Sequence, residues 1–167
     1  MGTPQIAAEY LNSLIMDNIK IDAVFTQSPK KQSRGMKLVK SPVHLLANDN
    51  KIEIHHPENF DNEMINKLKI MQPDLIIVMA YGKILPISIL ELPKYGCINI
   101  HVSILPRWRG AAPIEHALMS GDKETGISII KLIEKLDAGP IITQEKFNIP
   151  SSFNKLQLSN KLTEIGT

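Results

Sequence analysis

An amide, an imidazole and a hydroxyl stand at alternate positions in the segment Cys97-Ile-Asn-Ile-His-Val-Ser103. Side chains of a β-strand alternate between its two faces. Ile98, Ile100 and Val102 therefore point one way, into a core, while Asn99, His101 and Ser103 point the other. Burying polar groups side by side is costly unless each finds a partner. At the carboxyl end of a strand in an open α/β sheet, however, such a face lies where ligands bind. Farther along, Leu136-Asp-Ala-Gly139 offers a carboxylate in a turn-prone setting. Asn99, His101 and Asp137 together supply a neutral N–H donor, a ring that titrates near neutrality and a carboxylate, the parts of a proton-handling site.

The elements needed to position these residues can be followed along the chain. Pro4 followed by Ile6, Ala7, Tyr10, Leu11, Leu14 and Ile15 predicts a helix with proline in its first turn. Residues 23–26 and 51–55 read as short strands, and Ser41-Pro42 as the cap and first turn of a helix through residue 47. Asp61 caps a helix bearing Met64, Ile65, Leu68 and Met71. Residues 74–80 are apolar on both faces, as in a parallel strand covered by helices. After a turn at 81–86 and a short helix comes the Asn99/His101 strand, then a Pro-Arg-Trp-Arg-Gly loop and a helix over 112–119. Strands over 126–132 and 140–148 and a helix over 153–165 complete the pattern. Alternating strands and helices predict an α/β domain, doubly wound around a mostly parallel sheet. Residues 27–40 show no apolar period and predict a long loop, and His55-His56 before Pro57 predicts a surface turn. His44 and His116 fall on helices, and Trp108 is either a partner-contacting aromatic or packing beneath its loop.

The chain has 167 residues, 43% hydrophobic and 22% charged, which suits a single domain with a core. Its one cysteine, Cys97, excludes a disulfide within the chain and a cysteine-rich metal site, and reads as a buried thiol. No metal-ligand spacing is present, and no metal is expected. The longest apolar run, residues 75–81, is far short of the roughly 20 needed to cross a bilayer. Without a basic stretch ahead of an apolar one at its start, the chain is expected to be a cytoplasmic enzyme or binding protein with no membrane contact. The net charge of +2 is unevenly spread: no carboxylate lies between Asp22 and Asp49, where Lys30, Lys31, Arg34, Lys37 and Lys40 all fall. Such a run is either a solvated loop or a phosphate-contacting arm, and charge alone does not choose.

Several blocks resemble the methionyl-tRNA formyltransferases, within the wider family of 10-formyltetrahydrofolate-dependent formyltransferases. They include Met1-Gly-Thr-Pro4, Phe25-Thr-Gln27, Ser33-Arg-Gly35, Ser41-Pro-Val43, Ala80-Tyr-Gly82 and Ile84-Leu-Pro86. Gly96-Cys-Ile-Asn-Ile-His101, Ser103-Ile-Leu-Pro-Arg-Trp-Arg-Gly-Ala-Ala-Pro-Ile114, Gly121-Asp122, Glu124-Thr-Gly126 and Leu136-Asp-Ala-Gly139 continue the match in order. Ile104 stands where that family usually has leucine, a mild departure.

The resemblance implies transfer of a formyl group from 10-formyltetrahydrofolate to the α-amine of methionine on initiator tRNA. It implies a Rossmann-like catalytic domain over residues 1–167, truncated at both ends. A first, central strand and a C-terminal β-barrel domain that helps bind tRNA are expected outside this sequence. Asn99 and His101 would hold the oxyanion, while Asp137 would orient His101 and pass the proton. Ser103, Ile104, Leu105 and Pro106, with backbone from Ile84 and Leu85, would line the folate site. Lys30, Lys31, Arg34, Lys37 and Lys40 would face the tRNA acceptor end, and a monomer is expected. The alternatives are a related transferase acting on a sugar nucleotide or glycinamide ribonucleotide, and an inactive fragment that keeps only folate or RNA binding.

Overall fold

The computed structural model describes residues 1–32 and 37–167. The chain runs through α1 (Gln5–Met16), β1 (Ala23–Phe25), β2 (Lys30–Gln32), β3 (Lys37–Val39), α2 (Pro42–Asp49) and β4 (Glu53–His55). It continues with α3 (Asn62–Met71), β5 (Ile76–Val78), α4 (Ile87–Leu90) and β6 (Cys97–His101). The final stretch is α5 (Pro113–Met119), β7 (Glu124–Lys131), β8 (Ile141–Asn148) and α6 (Lys155–Gly166). Local chemistry sets several boundaries. Ser41 Oγ accepts from His44 N–H at 3.0 Å, Asp61 Oδ1 accepts from Met64 N–H at 2.9 Å, and Asn154 with Gln157 closes a capping box on α6.

The pairs β1–β4 and β5–β6 are parallel. Gly2 joins them, forming a parallel bridge to Met79 while its N–H donates to Phe25 O at 3.0 Å. A Cβ on Gly2 would sit 2.7 Å from Ala7 Cβ and 2.9 Å from Met79 O, so only glycine allows this approach. Beyond β6 the sheet turns antiparallel, through β7 and then β8. Between β1 and β5 a cavity of about 440 Å³ is lined by Tyr10, Leu11, Val24, Leu68 and Ile76.

The sheet is covered on both faces, as doubly wound folds require. Val24 and Met79 pack with α1, α2, α5 and α6 in one buried cluster. Their chain neighbours Phe25 and Val78 pack with Leu68, Tyr81, Ile89 and Cys97 in another. Adjacent strand residues thus feed opposite cores. Tyr10 ties α1 to α6 through a hydrogen bond from its hydroxyl to Leu162 O at 3.0 Å.

Two expectations need correction. Part of residues 27–40 is an antiparallel hairpin, Lys30 opposite Val39 and Gln32 opposite Lys37, rather than a plain loop. Leu38 and Val39 are adjacent and both exposed, so β3 offers no apolar alternation to read. His55 and His56 are not a surface turn. His55 is buried at the end of β4 with its ring 4.8 Å from that of Phe25. His56 Nδ1–H donates to Thr26 O at 3.2 Å, and its Nε2 accepts from His44 Nδ1 at 2.9 Å.

Candidate active site

β6 is paired on both sides, so Asn99 is registered against Val78 in β5 and Ile130 in β7. Two residues on, His101 stands opposite Ser128. Past the strand, residues 103–107 double back over β7 through a cis Leu105–Pro106 bond. Buried Ser128 holds this turn, accepting from Leu105 N–H at 3.0 Å and donating to Ser103 O at 2.6 Å. Gln144 Nε2 donates to Ser128 Oγ at 2.8 Å and to Leu105 O at 3.0 Å. Ser128 and Gln144 were not legible as site residues. The available signal was a hydroxyl flanked in its strand by two apolar residues, Ile127 and Ile129.

Asp137 arrives on the connection between β7 and β8, buried and with φ of +43°. That connection folds tightly: Lys131 N–H donates to Pro140 O at 2.9 Å, and a Cβ on Gly139 would lie 1.8 Å from Lys131 O. Asp137 Oδ1 accepts from Asn99 Nδ2 at 3.0 Å and Oδ2 from Gly110 N–H at 2.8 Å. His101 Nδ1 lies 3.6 Å from the same Oδ2, while its Nε2–H donates to Trp108 O at 2.8 Å. An amide, an imidazole and a carboxylate thus converge at the end of β6, with every contact made by a named donor or acceptor.

The Pro-Arg-Trp-Arg-Gly loop wraps this group. Ser103 Oγ–H donates to Arg107 O at 2.6 Å. Arg107 Nε and Nη2 donate to Asp122 at 2.8 and 2.6 Å, and Trp108 Nε1 donates to Asp122 Oδ2 at 2.7 Å. These hydrogen bonds, led by those from Arg107, hold the Asp122 carboxyl below its ordinary value. The Trp108 ring stacks on His116 of α5 at 5.1 Å, and the Arg107 guanidinium lies 4.3 Å from its centroid.

The residues expected at the folate site are spread more widely. Ser103 and Leu105 are buried, Pro106 is exposed, and Ile104 covers Gly126. Leu85 belongs to the cluster with Tyr81 and Ile89, whereas Ile84 is 83% exposed. An open cleft of about 880 Å³ is lined by Leu90, Tyr95, Leu132, Ile133 and Lys135 and by none of the residues expected at the folate site. One wall of it is the connection that carries Asp137. Of the basic residues, Lys30 donates to Gln27 Oε1 at 2.7 Å and Lys40 is exposed. Lys31 and Lys37 lie on the two strands of the hairpin, and Arg34 falls outside the described residues. Among the described residues no His, Cys, Asp and Glu cluster suits a metal ion, and no helix is long and apolar enough to cross a membrane.

The chain is 48% identical over 169 residues to the methionyl-tRNA formyltransferase of Wolbachia sp. subsp. Drosophila simulans (strain wRi), covering 100% of the chain and 56% of that protein. It is 49% identical over 164 residues to the methionyl-tRNA formyltransferase of Prochlorococcus marinus (strain MIT 9215), covering 97% and 50%. The chain therefore spans about half the length of the curated relatives it matches. Its fold superposes on the crystal structure of phosphoribosylglycinamide formyltransferase from Bacillus halodurans with a TM-score of 0.79 at 22% identity, over 98% of this chain and 84% of that one. A family model described as formyl transferase matches residues 1–167, and the chain belongs to that family.

Proposed function

We propose that this chain carries the catalytic part of an enzyme that formylates methionyl-initiator tRNA from 10-formyltetrahydrofolate. The observation that carries the reading is the convergence of Asn99, His101 and Asp137 at one strand end, in a chain whose curated relatives are named for that reaction. The cleft beside the Asp137 connection, with apolar walls from Leu90, Leu132 and Ile133, suits a flat heterocycle.

10-Formyltetrahydrofolate supplies an activated formyl group, whose carbon the methionyl amine attacks. One Asn99 N–H is engaged by Asp137, and the other is available to the oxyanion that forms. A donor so placed contributes about 3–4 kcal/mol to the transition state. His101, whose Nε2–H is held by Trp108 O, adds a second donor when its Nδ1 carries a proton. Asp137 takes the proton released by the attacking amine, directly or through water, and returns it to the leaving nitrogen as the C–N bond to folate breaks. Proton transfer of this kind contributes about 10²–10⁴-fold. The basic hairpin serves to hold phosphates of the tRNA acceptor end, a contact that positions substrate without reading bases. On this reading the protein acts in the cytoplasm as a monomer.

The test is acceptor choice in the longest natural form of the protein. Formylation of methionyl-tRNA, lost with His101→Ala and sharply weakened with Arg34→Ala, is the expected result. Formylation of glycinamide ribonucleotide or a sugar nucleotide, indifferent to Arg34→Ala, would overturn the tRNA assignment. Folate binding with no turnover on any acceptor would point to a binding fragment.

A further inference from the structure

We propose that Asp122, outside the Asn99–His101–Asp137 group, is a positioning residue that decides which ring nitrogen of neutral His101 carries the hydrogen. Its consequence for rate rests on the catalytic reading above; its consequence for the imidazole does not.

The loop of residues 107–110 contributes three backbone groups to the site. Arg107 O accepts from Ser103, Trp108 O accepts from His101 Nε2, and Gly110 N–H donates to Asp137. The loop has little packing of its own, since Arg107 and Arg109 are exposed. Trp108 also holds φ at +58°, a left-handed conformation that a bulky side chain rarely adopts unless its surroundings enforce it. The enforcing group is Asp122. Its carboxylate takes hydrogen bonds from Arg107 Nε, Arg107 Nη2 and Trp108 Nε1 and is itself only 12% exposed. Asp122 is anchored in turn by its own N–H, which donates to Ala117 O at 3.0 Å after a turn at Gly121 with φ of +66°.

A carbonyl oxygen only accepts. While Trp108 O faces His101 Nε2, that nitrogen keeps its hydrogen in both the neutral and the charged ring. Proton exchange is then confined to Nδ1, the nitrogen that faces Asp137 Oδ2 at 3.6 Å. Were the Trp108 carbonyl to move away, the neutral ring would be free to place its hydrogen on Nδ1, donate it to Asp137 and leave Nε2 bare. The proton-accepting position would then point away from the carboxylate. Asp122 thus acts through Arg107 and Trp108 on a ring it does not touch.

The experiment uses the full chain labelled with ¹⁵N in its histidine rings, with His101→Gln to assign the His101 signals. In the wild type, above the titration of the ring, the hydrogen is expected on Nε2 alone. Asp122→Ala should bring up an Nδ1–H population. In a formyl-transfer assay it should lower kcat by about 10²-fold, the scale of a small misplacement at a reacting group, with the folate KM unchanged. Asp122→Asn, of equal size, should shift the ring in the same direction and serves if the alanine variant does not fold. A wild-type ring state in whichever variant folds overturns the proposal, whatever its activity. A shifted ring in a protein that formylates nothing would sink the catalytic reading and leave this inference standing.

Discussion

Asn99 and Asp137 are 38 residues apart in the chain and share one hydrogen bond of 3.0 Å, from Nδ2 to Oδ1. With Gly110 N–H on the other oxygen at 2.8 Å, both oxygens of the carboxylate are occupied by donors. Asp137→Asn must turn an NH₂ group toward one of them. It is expected to lower kcat for formyl transfer by at least about 10²-fold and stability by about 1–3 kcal/mol. Single-turnover assays and urea melts read the two effects separately. Wild-type values in both would show that the carboxylate is not in use.

Gly139→Ala should be among the most disruptive single methyl groups in the chain, because its Cβ would meet Lys131 O at 1.8 Å. The obstacle is backbone, which cannot rotate aside, so a loss of about 3 kcal/mol or more is expected. Chemical denaturation measures it. Activity should fall further than stability alone accounts for, since Asp137 rides on the same connection.

Burial pushes the Cys97 thiol up from 9.0 to about 11. The folded state therefore favours the neutral thiol, and this contribution is complete below 9.0 and fades as pH rises toward 11. At about pH 8 a thiol reagent should leave the native protein unmodified and react promptly once denaturant is added. Fast labelling of the folded chain would place Cys97 in contact with solvent.

His55 is held below the usual imidazole range by burial and then by Lys67, with Glu53 opposing. His44 is lowered in the same direction by burial, Lys40 and His56. Folding thus favours neutral rings, whereas the unfolded chain takes up protons near 6.5. Stability is present above that value and is lost as pH falls below it. The urea midpoint should drop between about pH 7.5 and 5.5, and His55→Phe should flatten the drop. An unchanged slope in that variant would exclude His55 as a contributor.

Side-chain alternation and helix caps made much of this fold legible. The alternation at 97–103 placed Asn99 and His101 on one face, and Ser41 and Asp61 cap the helices their sequence context indicated. What escaped has a common cause. Ser128 and Gln144 act on backbone atoms, and Asp122 on the Arg107 and Trp108 side chains, that come near them only through sheet pairing and loop return, and no spacing encodes such a meeting. The hairpin escaped because its adjacent apolar residues, Leu38 and Val39, are both exposed and leave no alternation to read. His55 and His56 were misread because a following proline signals a turn, while the parallel pairing of β4 with β1 draws His55 into the core.

β6 is the strand at which parallel pairing gives way to antiparallel, and it is hydrogen-bonded to a neighbour on each side. Amides in such a strand exchange with solvent only when most of the molecule opens. Asn99 and His101, the two β6 groups of the proposed site, are therefore mounted on the last part to yield. The returns at 103–110 and 132–139, by contrast, are connections that lie outside that ladder. Amide exchange should separate the two by orders of magnitude, and variation in acceptor among relatives is expected to concentrate in the returns.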